Sequence, residues 1–180
     1  NREVANKIKL LWSCENIKLS FKERTNLSIV DSCAYFFDEL DRISSIDYEP
    51  TERDILLVCT PTAGIVSSTF EVNSNTFRIY DAGGRKSERS KWIHCFDNVT
   101  AVIFVAALSC FDQGLYESTK TNAMHESLNL WDDILNGRWF RQTEMILFLN
   151  KCDIFKEKLE EQGKDLHVCF DGNPVRIGEI

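Results

Sequence analysis

The chain has 180 residues, is 43% hydrophobic and carries a formal net charge of −7, enough length for one good core or two small ones. The acidic balance argues against nucleic-acid binding by phosphate neutralisation, no basic run marks a membrane-surface patch, and no apolar stretch reaches transmembrane length. Seven cysteines (Cys14, Cys33, Cys59, Cys95, Cys110, Cys152, Cys169), scattered and without a CxxC pair, read as reduced, mostly buried cytosolic thiols rather than a disulfide or zinc framework.

In chain order the first half reads as helical. Val4, Ile8, Leu11 and Trp12 share one helical face, and so do Cys33, Phe36, Phe37, Leu40 and Ile43. Asp31 and Ser32 stand where a helix should be capped, and Thr51 with Asp54 forms a capping box after Pro50. No strand is expected before about residue 60. Residues 70–72 and 77–80 then alternate on either side of Asn73-Ser74-Asn75, which predicts a hairpin. The runs 100–108 (TAVIFVAAL) and 145–150 (MILFLN) predict strands buried on both faces. Between them Met124, Leu128, Trp131 and Leu135 give a helix stripe. Strand–helix–strand order predicts an α/β sheet with ligands at its strand carboxyl ends. The chain therefore divides into a helical module at 1–57 and an α/β part at 58–180.

Two stretches carry chemistry. Residues 79–96 read IYDAGGRKSERSKWIHCF. A strand-like run ends in Asp81, two glycines follow, and a charged segment leads to Trp92. An acidic residue at a strand end can face a metal, while glycine amides can approach a terminal phosphate. A plain strand-terminating turn has the same Asp and Gly content. The second stretch, Asn150-Lys151-Cys152-Asp153, has the NKxD form. Its aspartate can accept from both the ring N–H and the exocyclic amine of guanine, and its lysine stem can lie over the base. Alone, NKxD also describes a polar turn closing a strand; its place after a buried run, downstream of Asp81, favours the guanine reading.

Residues 79–96 closely resemble switch II of heterotrimeric G-protein α subunits (DVGGQRSERKKWIHCF). Residues 54–66 (DILLVCTPTAGIV) resemble that family's switch I, residues 31–43 its NDSAxYFLDDLDRI segment, and residues 122–130 (NAMHESLNL) its NRMHESL helix. The resemblance spans about 4–179. It implies a partial Ras-like GTPase domain, a mostly parallel sheet with flanking helices, preceded by the C-terminal part of an all-α helical domain. It implies GTP/GDP and Mg2+ as cofactors, with Thr62 and, through water, Asp81 at the metal. Asp31, Ser32, Leu56, Leu57, Val58, Cys59, Thr62, Asp81, Ala82, Gly83, Gly84, Arg85, Asn150, Lys151 and Asp153 would surround the nucleotide. For Asp31 and Ser32 a helix-capping role and a nucleotide-side role are compatible. His94 is expected to be structural.

The implied partners are a βγ dimer, a G protein-coupled receptor and an effector. The implied location is cytoplasmic, at the inner face of the plasma membrane, with attachment only through a lipidated N-terminus outside this sequence. The departures are specific. Arg85 replaces the family's catalytic glutamine and Cys59 its cis arginine, so hydrolysis is expected to be slow. Ala123 replaces an arginine, and Ser118, Thr119 and Lys120 stand in a normally acidic stretch, which removes charge contacts between switch III and switch II. The chain ends read as abrupt and no GxxxxGK[ST] phosphate loop is present, so a fragment that does not hold nucleotide tightly is expected. Two other classes fit less of the sequence: a nucleotide-independent module that binds βγ or effector through Arg89, Lys91 and Trp92, and an unrelated NTP-dependent enzyme sharing only NKxD.

Overall fold

The computed structural model describes residues 2–24, 29–95, 99–115 and 118–170. Phe96 and the resemblance beyond residue 170 lie outside the described residues, as do the side chains of His94, Cys95 and Thr119. The chain divides into two compact units: Asn1–Cys59 with Val105–Trp131 and Leu147–Ile180, and Thr60–Phe104 with Asp132–Ile146. Among the described residues no helix is long and apolar enough to cross a membrane.

The first unit opens with helices α1 (Arg2–Trp12), α2 (Glu15–Lys22), α3 (Cys33–Asp38), α4 (Leu40–Ile43) and α5 (Glu52–Leu57). Trp12 joins three of them. Its ring meets Phe21 and Phe37 edge-on at 5.1 and 5.2 Å, and its indole N–H donates to Asp38 at 2.7 Å. The expected apolar face of α1 is only partly buried: Ala5 is covered, whereas Val4 and Leu11 are exposed. Helix α5 starts as its sequence predicts. The Thr51 hydroxyl accepts from the Asp54 amide and the Asp54 carboxylate accepts from the Thr51 amide, a complete capping box. Ser32 does occupy the N-cap of α3, but its side chain makes no capping bond. The neighbouring Asp31 carboxylate faces two cations instead, a stronger partnership than a backbone amide.

In the second unit β1 (Ile65–Val72) pairs antiparallel with β2 (Asn75–Ala82), from Val72↔Asn75 at the turn to Ile65↔Ala82 at the far end. The turn is therefore Asn73-Ser74, one residue shorter than expected. Both residues have positive φ (49° and 64°), the twist-matched geometry of two-residue hairpins. Strands β3 (Ala101–Ala107), β4 (Gly114–Leu115), β5 (Ser118–Asn122) and β6 (Glu144–Asn150) complete the sheets, with helix α6 (Ala123–Leu135) before β6 and α7 (Cys152–Glu160) after it. β3 pairs with β6 in parallel, and β4 with β5 antiparallel. The result is a mixed helix-and-sheet chain with a parallel pair, as the sequence implied.

The two apolar runs are strands, but they are not buried on both faces. Only Ala106 of β3 is buried, and Ile146, Leu147, Phe148 and Leu149 of β6 are exposed. Two strands alone do not cover each other's faces; burial requires a layer above and below. The hairpin β4–β5 was not expected from the sequence, because its polar residues carry no strand pattern.

A small core in the first unit joins Phe111, Met124 and Cys169, with Leu108, Phe155, Leu159 and Leu166 packed on it. Full burial of Phe111 contributes about 2–3 kcal/mol. Asn122 starts α6 there, accepting from the Met124 and His125 amides at 2.8 and 3.1 Å. Beneath the ring of Phe111 lies Lys158, fully buried. Its ammonium donates to the Ser109 carbonyl and to the Asp112 carboxylate, each at 2.7 Å.

Candidate functional site

The predicted switch residues of the second unit come together at the open end of the hairpin. Strand β2 delivers Asp81 to its last turn, where the carboxylate accepts from the Thr62 hydroxyl at 3.2 Å. The chain then crosses back on itself, and the Gly83 amide donates to the Gly64 carbonyl at 3.0 Å. Gly83 is buried. A Cβ there would lie 2.5 Å from the Thr62 carbonyl oxygen and 2.9 Å from Glu88 Cγ, so only glycine fits. Gly84 is exposed, and a Cβ there would meet nothing within 4 Å.

Behind the glycines the chain turns through Arg85 and runs as a 3-10 helix over Arg89–Cys95 rather than as an α-helix. The tight form has local reasons. Lys91 bonds Glu88 three residues back at 2.7 Å, and the Trp92 indole reaches the Gly83 carbonyl at 2.9 Å. Arg89 Nε donates to the Gly84 carbonyl at 3.1 Å. The Glu88 carboxylate also takes the Gly64 amide at 2.5 Å. The Lys91 ammonium, then the Gly64 amide, hold the Glu88 carboxyl below its usual range. Glu88 and Gly64 both stand within the switch-like sequence stretches, but nothing in those stretches announces that they meet.

In the first unit the NKxD residues sit at the exit of β6. Asn150 turns its side chain back to accept from the Lys151 amide at 2.9 Å. Lys151 adopts a left-handed φ of 59° at the start of α7, and Asp153 is exposed in the first turn of that helix. The Lys151 ammonium pairs with Asp31 at 3.2 Å, across 120 residues of sequence. Arg24 lies 3.7 Å from the other Asp31 oxygen, which is buried and has no hydrogen-bond partner among the described residues. Two predicted site residues, Asp31 and Lys151, are thus brought together.

The remaining predicted residues lie at the end of α5 (Leu56, Leu57) and just after it (Val58, Cys59). Leu56, Val58 and Cys59 are exposed, Cys59 as a free thiol, and Leu57 is half-buried. Cys14 and Cys152 are exposed too, and of the cysteines whose side chains are described Cys169 alone is buried, so the thiols are not mostly buried as expected. The approach of residues 56–59 is set by Asp54, which is buried and accepts from both Arg42 nitrogens, from Tyr35 and from the Thr51 amide, each at 2.7 Å. The Arg42 guanidinium holds the Asp54 carboxyl well below its usual range, and Asp54 with Glu39 pushes the guanidinium up in turn. The sequence marked Asp54 as a cap but gave no sign of Arg42, because a separation of twelve residues follows no helical or strand period.

Among the described residues no three His, Cys, Asp or Glu side chains cluster closely enough to form an all-protein metal site. The Thr62 hydroxyl and the Asp81 carboxylate are both hard oxygen donors. That sparse set suits a cation such as Mg2+, which keeps several waters and binds through one or two protein oxygens together with phosphate. The residues present therefore fit the group.

A family model of the G-protein alpha subunit matches residues 1–176. A guanine nucleotide-binding protein subunit alpha of Coprinellus congregatus is 46% identical over 171 residues, covering 95% of this chain and 48% of the relative. The G(o) subunit alpha of Locusta migratoria is 45% identical over 170 residues, 94% of this chain and 48% of its own length. The alpha-15 subunit of Caenorhabditis elegans is 49% identical over 155 residues, 86% and 44% respectively. The chain spans about half the length of the curated relatives it matches.

Proposed function

The chain belongs to the G-protein alpha subunit family, and on that premise we propose that it is a guanine-nucleotide-dependent signal transducer with a weakened hydrolytic timer. The observation that carries this reading is the Thr62–Asp81–Gly83 cluster. A hydroxyl and a carboxylate meet beside a glycine that cannot be replaced, and an open glycine follows it.

Thr62 and, through water, Asp81 would hold Mg2+, and the Gly84 amide would meet the γ-phosphate. Asp153 reads the guanine edge, the Lys151 stem covers the base and Asn150 fixes the loop. The metal, when bound, neutralises phosphate charge. Loss of the γ-phosphate frees Thr62 and the Gly84 segment, so the order of both loops reports the nucleotide. A βγ dimer, a receptor and an effector are the partners that read this order, at the inner face of the plasma membrane.

Hydrolysis needs a group that orients water and a cation over the developing charge. At position 85 the guanidinium cannot accept a hydrogen bond from water, and at position 59 a thiol carries no charge. A cis or trans arginine is worth roughly 10³–10⁵ in rate, or about 4–7 kcal/mol of barrier. Single-turnover hydrolysis by the full-length protein is therefore expected to be slow, and Cys59→Arg with Arg85→Gln is expected to raise it about 10³-fold or more. Ordinary α-subunit rates in the unaltered protein would sink the weakened-timer reading.

The pairing of those two replacements also favours a second reading, a nucleotide-independent module that docks βγ or effector through Arg89, Lys91 and Trp92. Binding of a fluorescent GTP analogue with and without Mg2+ separates the two. No binding, together with βγ capture that ignores added nucleotide, would leave only the second.

A further inference from the structure

We propose that Glu88 is the positioning residue of the switch, its carboxylate fixing the Gly64 turn and thereby the place at which the Thr62 hydroxyl meets Asp81. The inference rests on the metal-and-phosphate reading given above and adds the element that holds the metal's two donors in register.

The Thr62–Asp81 bond cannot do this by itself. At 3.2 Å it is long for a hydroxyl–carboxylate bond, and Asp81 is exposed. Gly64, two residues beyond Thr62, is held on both sides. Its amide donates to Glu88 at 2.5 Å and its carbonyl accepts from the Gly83 amide at 3.0 Å. Its φ of 73° is a left-handed conformation that places these groups as they stand and that other residues adopt only with strain. The Glu88 side chain is 17% exposed, and the oxygen that takes the Gly64 amide, Oε2, also accepts from the Lys91 ammonium at 2.7 Å. The same side chain forms a wall of the space beside Gly83, whose opposite wall is the Thr62 carbonyl. Thr62, Gly64, Gly83 and Glu88 therefore interlock, and a charge-assisted bond is the strongest link among them. Releasing it leaves Thr62 attached to Asp81 through the weakest one.

The test uses the full-length protein and two readouts. In Glu88→Ala, hydrogen exchange at the Gly64 amide is expected to accelerate about tenfold or more, the loss of one charge-assisted bond. The Mg2+ concentration that half-saturates fluorescent GTP-analogue binding is expected to rise by a similar factor, about tenfold. Glu88→Gln keeps an oxygen that can accept from Gly64 and is expected to stay within about threefold of the unaltered protein in exchange. Where Glu88→Ala does not fold, Glu88→Asp, one carbon too short to reach, takes its place. Unchanged Gly64 exchange overturns the latch, whatever the nucleotide does. Faster exchange with an unmoved Mg2+ midpoint overturns the positioning role. If the unaltered protein binds the analogue without responding to Mg2+, the metal reading itself fails and the positioning role falls with it, while the Gly64 exchange rate still reports on the latch.

Discussion

Asp54 accepts four hydrogen bonds at 2.7 Å from Tyr35, Arg42 and the Thr51 amide, whereas among the described residues Asp81 accepts from Thr62 at 3.2 Å and faces solvent. Both are aspartates at the end of an approach to a switch segment. The first has its lone pairs occupied by the protein and holds the chain in place. The second keeps most of its acceptor capacity, and that capacity is what a ligand requires. Saturation thus separates a bracing carboxylate from a binding one. Asp112 is a third kind: its side chain is buried, one oxygen accepts from the buried Lys158 ammonium, and the other has no hydrogen-bond partner among the described residues, so it braces by ion pairing rather than by saturation.

Since burial makes a carboxylate depend on its partner, the largest stability loss should come from removing the cation beside Asp112. Lys158→Met leaves a buried carboxylate unpaired, and a loss of about 3–5 kcal/mol is expected in urea unfolding. A loss below about 1 kcal/mol would place this pair among the ordinary surface contacts.

The pH dependence of Asp54 should be next in size. Its carboxyl is lowered in the folded chain, so its contribution is fully present above the unfolded value near 3.8 and is lost as pH falls below that toward the folded value. The melting temperature should therefore fall with acid below about pH 4, and Asp54→Asn should flatten that slope while lowering the neutral-pH melting temperature. An unaltered acid slope in Asp54→Asn would break the contrast from its bracing side.

The smallest stability effect belongs to Asp81. Asp81→Asn is expected to change unfolding by no more than about 0.5 kcal/mol while abolishing the Mg2+ response of analogue binding. A large drop in stability would show that Asp81 is a brace after all.

What the sequence disclosed was local. Thr51 and Asp54, three apart, announced their capping box, and Asn73-Ser74-Asn75 between alternating runs announced the hairpin, with a turn one residue too long. The NKxD residues were found at a strand end, where their pattern placed them. What stayed hidden depended on residues meeting across long separations. Arg42 on Asp54, Glu88 on Gly64 and Lys158 on Asp112 leave no periodic trace. The strands of 101–107 and 144–150 were misjudged in burial for a related reason. Apolar content says that a face can be covered, but not whether covering layers stand beside it in this chain.

Lys151 brings a different consequence, one for sequence change over time. Its backbone holds a left-handed φ of 59°, which costs a residue with a Cβ about 1–2 kcal/mol and costs glycine almost nothing. Selection for folding alone would therefore drift this position toward glycine or asparagine. A long, charged side chain in that conformation sets backbone strain against its ammonium's pair with Asp31, so Lys151→Gly should relieve the first while giving up the second.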